Sequence, residues 1–168
     1  MQHHVKAHVS GTDHSHKGIH IGSVVIKKSS TLVDQNLKRK HKTPQTESTV
    51  NADAFRDCDA LLSVTIPDKV AEIKSSTFYG CDALERVVLG SRVTNVSGEA
   101  FRDCRKLKSV YFPTSLTNID DRAFYCCESL EEAIFNEGLT SIGYDAFSEC
   151  HSITKVVLPS TIVRIENY

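Results

Sequence analysis

Apolar residues recur along residues 54–168 in one pattern that returns every 23 positions. A phenylalanine occupies the same place in each of five copies, and a cysteine follows it three residues later. These columns are Phe55, Phe78, Phe101, Phe124 and Phe147, and Cys58, Cys81, Cys104, Cys127 and Cys150. No column shifts by a single residue. A fixed period of roughly 20 to 50 residues is the sequence signature of a solenoid.

Within each copy, the spacing of apolar residues predicts the local structure. Val64 and Ile66 lie two apart, as on one face of a strand, and Pro67 ends that strand because it cannot donate to a ladder. The pair within 70–73 is spaced three apart and predicts a second extended segment on the return side. The Ala-Phe-x-x-Cys segment, at 54–58, has helical spacing and predicts a single helical turn.

The pattern divides the chain into a leader and a repeat domain. The predicted leader covers 1–42 and the repeat domain covers 43–168, where 43–53 is a partial edge repeat. The full repeats are 54–76, 77–99, 100–122, 123–145 and 146–168. One unit is too small to bury its own apolar residues, so the units must stack, and five suffice for independent stability. Stacking would form a buried ladder from the phenylalanines.

The motif Leu-x-x-Val-x-Ile-Pro-x-x-Val-x-x-Ile-x-x-x-Ala-Phe-x-x-Cys closely resembles the BspA-like leucine-rich repeat family. Gly90 and Asn136 replace the proline, Thr77 replaces Ala, and Ala133 replaces Val. The resemblance implies a right-handed, strand-dominated solenoid with short helical turns and a concave parallel sheet. It also implies a surface or secreted protein that takes part in adhesion or contact with a host.

Residues that alternate with the buried strand positions are expected to point outward from the concave sheet. One outward column is polar, and the other is apolar over four adjacent units. The predicted partner-binding residues are Arg86, Ser109, Glu132 and Lys155 in the first column and Val88, Tyr111, Ile134 and Val157 in the second. An apolar stripe beside charged residues is typical of a protein-binding patch. Exposed strand positions also favour β-branched and aromatic residues for structural reasons.

The cysteine column is expected to be a ladder of small buried thiols. Disulfides between neighbouring strands fit the strand spacing, but in-register side chains point parallel and five thiols cannot all pair. Zinc needs four converging ligands, which a linear row does not provide. Cys126 lies off the column and is the candidate for a reactive thiol. Asn95-Val96-Ser97 is an N-glycosylation sequon.

The leader differs from the repeats in charge. Residues 1–50 hold eight Lys/Arg against three Asp/Glu, whereas residues 51–168 hold twelve against eighteen. The leader is rich in histidine, with a basic cluster at 38–42, and is expected to be mostly disordered apart from one short strand at 23–27. A metal-binding or nucleic-acid-binding leader is therefore an alternative function.

The sequence predicts a non-catalytic protein-interaction module of unknown partner and compartment. It contains no nucleophile elbow, phosphate-binding loop, HExxH motif or dinucleotide-binding glycine pattern. No cofactor or metal is expected, and no apolar run reaches the length of a membrane span. No secretory signal is visible in the first 30 residues. The acidic repeats are a poor surface for nucleic acid.

The rival hypothesis is that the chain is a structural fragment of a longer repeat protein. Such a fragment would self-associate through its uncapped ends.

Overall fold

The computed structural model describes residues 19–21, 24–28 and 49–166 of the chain. These residues contain thirteen strands and no helix. The strands are β1 (Ile19–Ile21), β2 (Val24–Lys28), β3 (Thr49–Val50), β4 (Leu61–Thr65), β5 (Glu72–Ile73), β6 (Arg86–Val88), β7 (Asn95–Val96), β8 (Ser109–Tyr111), β9 (Asn118–Ile119), β10 (Glu132–Ile134), β11 (Ser141–Ile142), β12 (Lys155–Val157) and β13 (Arg164–Ile165).

The repeats form a strand-dominated parallel solenoid, as the sequence predicted. On one side, β4, β6 and β8 pair in parallel, and β10 pairs with β12. On the other side, β3, β5, β7, β9, β11 and β13 form one six-stranded sheet. Every repeat-to-repeat pair lies 23 residues apart, as in Val64↔Val87 and Ile73↔Val96. The sequence period is therefore the coil of the solenoid.

The core lies between the two sheets and runs the length of the stack. The five phenylalanines of the repeat column stack face to face, with ring centroids 5.0–5.1 Å apart and interplanar angles of 4–8°. The leucine column packs beside them, and Leu84, Leu107 and Leu130 are fully buried. Each coil is thus closed by the ring above and the ring below, which is why one coil cannot fold alone.

The Ala-Phe-x-x-Cys segment forms consecutive turns instead of the single helical turn that its spacing favoured. Alternate backbone N–H groups donate to the next coil, as in Phe55 to Thr77 at 2.8 Å and Asp57 to Tyr79 at 2.7 Å. Those groups are therefore unavailable for helical i→i−4 bonds. Two residues four positions apart also have positive φ around each of these segments, as Asp53 and Asp57 do around the first. Left-handed residues at this spacing end a right-handed helix.

Part of the leader is joined to the first sheet. Strands β1 and β2 pair in antiparallel fashion, and β2 pairs antiparallel with β4 through Val25↔Thr65 and Ile26↔Val64. The sequence placed one strand at 23–27, and the structure has it at Val24–Lys28. Strand β1 lies in a part of the leader that was predicted to be disordered, and that prediction was wrong there because residues 19–21 pair with β2. The rest of the predicted disorder falls on residues outside the described ranges. Strand β2 covers the N-terminal edge of the first sheet, which the sequence interpretation had treated as open.

Candidate partner-binding face

The outward side chains of β4, β6, β8, β10 and β12 form a surface that we call the strand face. Alternation along each short strand creates it: Val64, Val87 and Ala133 point inward and are buried, while their neighbours point out. Neighbouring coils align these outward residues in register, as in Val88↔Tyr111 and Ile134↔Val157.

The predicted apolar column is exposed on this face. The exposed fractions are 62% for Tyr111, 38% for Ile134 and 41% for Val157, and Val88 is half-buried. Most residues of similar size in the repeats lie in the core. The sequence analysis therefore placed these side chains on the correct side of the sheet. Whether a partner contacts them stays a prediction.

The first sheet is interrupted in the middle of this face. Strands β8 and β10 belong to separate sheets, although they lie in adjacent coils. At this junction the Asn136 side chain donates from Nδ2 to the Phe112 carbonyl at 2.7 Å. Asn136 is one of the residues that replace proline in the repeat. The eight predicted residues thus fall into two groups, one on β6 and β8 and one on β10 and β12.

The charged residues of the strand face have no ion-pair partner in the described part of the chain. Arg86, Glu132 and Lys155 are exposed, and no oppositely charged group lies within ion-pair distance of any of them. In the neighbouring column, Lys108 Nζ lies 3.4 Å from Glu85 Oε2. Unpaired charges around an apolar stripe leave the strand face able to bind a complementary surface.

A second ordered surface, the turn face, lies on the Ala-Phe-x-x-Cys turns and was not predicted. Arg56, Tyr79, Arg102 and Tyr125 follow one another at the 23-residue period. The Arg56 guanidinium lies 4.1 Å from the Tyr79 ring centroid, and that of Arg102 lies 5.6 Å and 5.0 Å from the rings of Tyr79 and Tyr125. The alternation of arginine and tyrosine at the repeat period is itself a signal in the sequence.

The charges of the turn face are mutually compensated. Arg56 pairs with Asp53 at 2.9 Å, and Arg102 pairs with Glu99 at 2.8 Å. The hydrogen bond that Arg56 donates to the Asp53 carboxylate raises the pKa of Arg56, which is charged in any case. The turn face is therefore a set of satisfied contacts between coils, and it is a weaker candidate for binding than the strand face.

The glycosylation sequon lies within a polar ladder on the second sheet. Asn118 Nδ2 donates to Asn95 Oδ1 at 2.8 Å, and Asn95 Nδ2 donates to Ser97 Oγ at 3.1 Å. Ser97 in turn donates to Glu72 Oε1 at 3.0 Å. The amide nitrogen that a glycan would occupy thus donates to Ser97 of its own coil and also to Asp120 Oδ2 of the next coil at 3.4 Å, which favours a structural role for Asn95.

The cysteine column is a ladder of free thiols. Cys81, Cys104, Cys127 and Cys150 each lie 3.0–3.3 Å from the phenylalanine carbonyl of the preceding coil, so each thiol donates between coils. Burial raises the pKa of Cys104 and Cys127. Cys126 is half-buried at a left-handed turn position. Burial, followed by Asp103, raises its pKa, which opposes the reactivity proposed from the sequence.

A shallow cleft of about 330 Å³ opens beside Tyr111, at the end of the strand face toward β4. Thr65, Val88 and Tyr111 border it on the strand side, and the segment after each strand forms its other wall.

The sequence profile described as "BspA type Leucine rich repeat region" matches residues 48–168 in six copies. The chain belongs to the BspA-type leucine-rich repeat family. The sixth copy agrees with the pairing of β3 with β5, in which Val50 lies opposite Ile73 at the same 23-residue offset. Comparison with curated proteins gives no significant match.

Several solved leucine-rich repeat structures share the fold. A leucine-rich cell surface protein of Faecalibacterium prausnitzii is 36% identical, with a TM-score of 0.64 over 71% of this chain and 33% of that one. The T. pallidum leucine-rich repeat protein is 28% identical, with a TM-score of 0.65 over 71% of this chain and 63% of that one. A Bacteroides ovatus protein, 24% identical, has a TM-score of 0.68 over 94% of this chain and 42% of that one. The chain thus spans between one third and two thirds of these relatives.

The described residues of the BspA-type domain contain neither a candidate metal site nor a candidate membrane span. No three His, Cys, Asp or Glu side chains converge there as ligands for a metal ion. Nor does that part of the chain contain a helix that could cross a membrane. The His-rich part of the leader and its basic cluster, the basis of the metal and nucleic-acid alternative, lie almost wholly outside the described residues.

Proposed function

We propose that the chain is a non-catalytic protein-interaction module that binds a partner through the strand face. The exposed apolar column centred on Tyr111 carries this proposal. A solenoid needs its inward residues for the core, but its outward strand residues are free to vary. In this chain they combine an aromatic, two aliphatic residues and three unpaired charges. Aromatic side chains at the centre of a patch commonly supply most of the binding energy.

The contrast with the turn face supports this choice. There, arginines are stacked on tyrosines and paired with carboxylates of their own chain, so binding would first have to break those contacts. On the strand face, Arg86, Glu132 and Lys155 have no such competitor in the described residues. The name of the F. prausnitzii relative places that protein at the cell surface. We extend this to a role as an adhesin or surface antigen for the present chain.

The double variant Tyr111→Ser/Ile134→Ser tests the strand face. Both side chains are exposed, so the fold and its thermal stability should be retained. Capture of partner proteins by the immobilised chain should fall at least about tenfold, because truncating a central aromatic anchor costs about 2 kcal/mol or more. Val163→Ser is the matched control. It removes an exposed apolar side chain that lies directly before β13, away from the strand face. Equal capture by the double variant and the wild type would refute the proposal.

Self-association is a second candidate, favoured by the last coil. Val156 and Leu158 correspond to the buried Val64 and Ile66 but are 55% and 43% exposed, and Ile165 is 46% exposed. In the described residues no further strand pairs with β12 or β13. A second copy of the chain would cover these side chains and strand edges. A symmetric contact between two last coils would produce a dimer.

Light scattering over a range of concentrations tests this second candidate. The 168-residue chain should show a concentration-dependent dimer, and Val156→Lys should abolish it by placing a charge in the apolar contact. Thr65→Lys, at an exposed strand position four coils away, should leave the dimer intact. A monomer at every concentration would rule out self-association without affecting the strand-face proposal.

A further inference from the structure

The cleft beside Tyr111 lies where one of the repeat prolines is replaced by glycine. The residue after each outward strand forms the column Pro67, Gly90, Pro113, Asn136 and Pro159. Gly90 stands between Pro67 and Pro113, and all three residues line the cleft of about 330 Å³. The departure from the repeat pattern and the cleft thus coincide in the fold.

The backbones of neighbouring coils pass close together at Gly90. A Cβ atom at Gly90 would lie 2.4 Å from the Pro67 carbonyl oxygen and 2.6 Å from its carbon. Contacts this short cannot be relieved by rotating a side chain. Gly90 is buried, so the floor of the cleft there is close-packed backbone.

Polar groups line the rim of the cleft. The Ser91 backbone N–H donates to Asp68 Oδ1 at 2.8 Å, which lowers the pKa of the Asp68 carboxyl and keeps it ionised. In the described part of the chain, Asp68 has no ion-pair partner, and the exposed hydroxyls of Thr65 and Thr114 have no hydrogen-bond partner. The rim thus presents a carboxylate and two hydroxyls that can bond a ligand.

The backbone beneath the cleft is already satisfied. The Ile66 N–H donates to the Val88 carbonyl at 2.8 Å, and the Leu89 N–H donates to the Tyr111 carbonyl at 3.2 Å. A peptide could not add here as a further strand, because the donors and acceptors it needs are bonded between coils. A ligand of this cleft must therefore bind through side-chain oxygens and apolar ring surfaces.

We propose that the cleft over Gly90 is a carbohydrate-binding subsite, in which a neutral sugar ring lies against Tyr111. A pyranose has a C–H face that packs on an aromatic ring, whose face is electron-rich. It also has hydroxyls around its edge that donate to a carboxylate and exchange hydrogen bonds with Thr hydroxyls. Tyr111, with Val88 and Pro113 beside it, supplies the ring surface. Asp68, Thr65 and Thr114 supply the polar edge.

Saturation-transfer NMR on the full 168-residue chain tests this subsite. The probes are lactose, maltotriose, cellotriose and chitotriose at millimolar concentration, with a proline-rich decapeptide as the competing class. At least one sugar should receive saturation on its ring C–H protons. Tyr111→Ala should reduce its affinity at least tenfold, and Asp68→Asn should reduce it several-fold while keeping the bond to Ser91. Tyr111→Phe should retain most of the binding, because the ring face remains.

Ile134→Ser separates this inference from the proposed protein-binding role. That residue belongs to the strand face but not to the cleft, so its replacement should impair protein capture and leave sugar binding unchanged. The subsite is refuted if no sugar receives saturation, or if transfer persists undiminished in Tyr111→Ala. Binding of the decapeptide alone, lost in Tyr111→Ala, would likewise overturn it and identify the cleft as a peptide site. Protein capture is measured separately, and it tests the strand-face proposal whichever of these outcomes is found.

Discussion

At the scale of single residues, contact between the backbones of successive coils decides what is tolerated. Gly90 and Gly98 are only eight residues apart, and neither has positive φ. A Cβ at Gly90 would collide with the Pro67 carbonyl at 2.4 Å, whereas at Gly98 the nearest atom, the Asp121 oxygen, is 3.3 Å away. The two glycines therefore differ in packing and not in backbone conformation.

We predict that Gly90→Ala destabilises the domain by about 1–3 kcal/mol, because overpacking against a fixed backbone forces neighbouring coils apart. Gly98→Ala should be close to neutral, since a shift of a few tenths of an ångström removes its contact. Urea denaturation followed by circular dichroism measures both. Equal stabilities of the two variants would show that the coils adjust freely at Gly90.

The sequence predicted single residues well wherever alternation decides their direction. Tyr111 and Ile134 were expected to point outward, and both are exposed. The substitution of Gly90 for proline was also visible, but the close approach of the Pro67 backbone in the previous coil was not, because no spacing reveals it. Cys126 shows the same limit, because its place off the cysteine column predicted exposure but not the burial that, followed by Asp103, raises its pKa.

At the scale of elements, the strands followed from the period, but the turns and the leader did not. The helical spacing of Ala54, Phe55 and Cys58 is real, yet their backbone groups bond to the next coil instead of along the segment. The spacing of side chains along one segment does not show whether a backbone N–H donates to a carbonyl of the same segment or to a carbonyl of the next coil. The hairpin of β1 and β2 has the same cause, since its place beside β4 arises from pairing across about 35 residues.

We predict that Ile26→Pro exposes the N-terminal edge of the first sheet. Strand β2 pairs with β1 on one side and with β4 on the other, so a proline within it removes a ladder N–H. Hydrogen exchange of the β4 amides should accelerate by about tenfold or more. The β8 amides, two coils away, should not change.

Ile26→Ala is the matched control for this prediction, because it keeps the backbone N–H and changes only the side chain. It should leave the exchange of β4 near the wild-type rate. If both variants accelerate exchange equally, the side chain of Ile26 and not the pairing of β2 protects the edge. If neither does, β2 does not protect β4 in solution.

At the scale of the whole molecule, the stack is held by contacts repeated along its axis. Apolar columns supply the buried core, and carboxylates add hydrogen bonds from one coil to the next. Asp68 accepts from the Ser91 backbone, Glu137 Oε1 accepts from the Ser160 backbone at 3.1 Å, and Glu72 accepts from Ser97. These bonds lower the pKa of Asp68 and Glu137, and Lys74 followed by Ser97 lowers that of Glu72.

We predict that acid destabilises the solenoid through these three carboxylates. Because their pKa is lower in the folded chain than in the unfolded one, the unfolded state binds more protons at low pH. Their contribution to stability is fully present above the unfolded values of about 4, and it is lost as the pH falls through the folded values. The Tm should therefore change little between about pH 7 and pH 5 and fall steeply from about pH 4.5 to pH 3.

The triple variant Asp68→Asn/Glu72→Gln/Glu137→Gln tests this prediction, because its amides keep an oxygen acceptor but do not titrate. Its Tm should fall less steeply with acid than that of the wild type. Glu132→Gln, on the strand face without a bond to another coil, should follow the wild-type curve. A triple variant with an unchanged acid slope would assign the acid sensitivity to other groups.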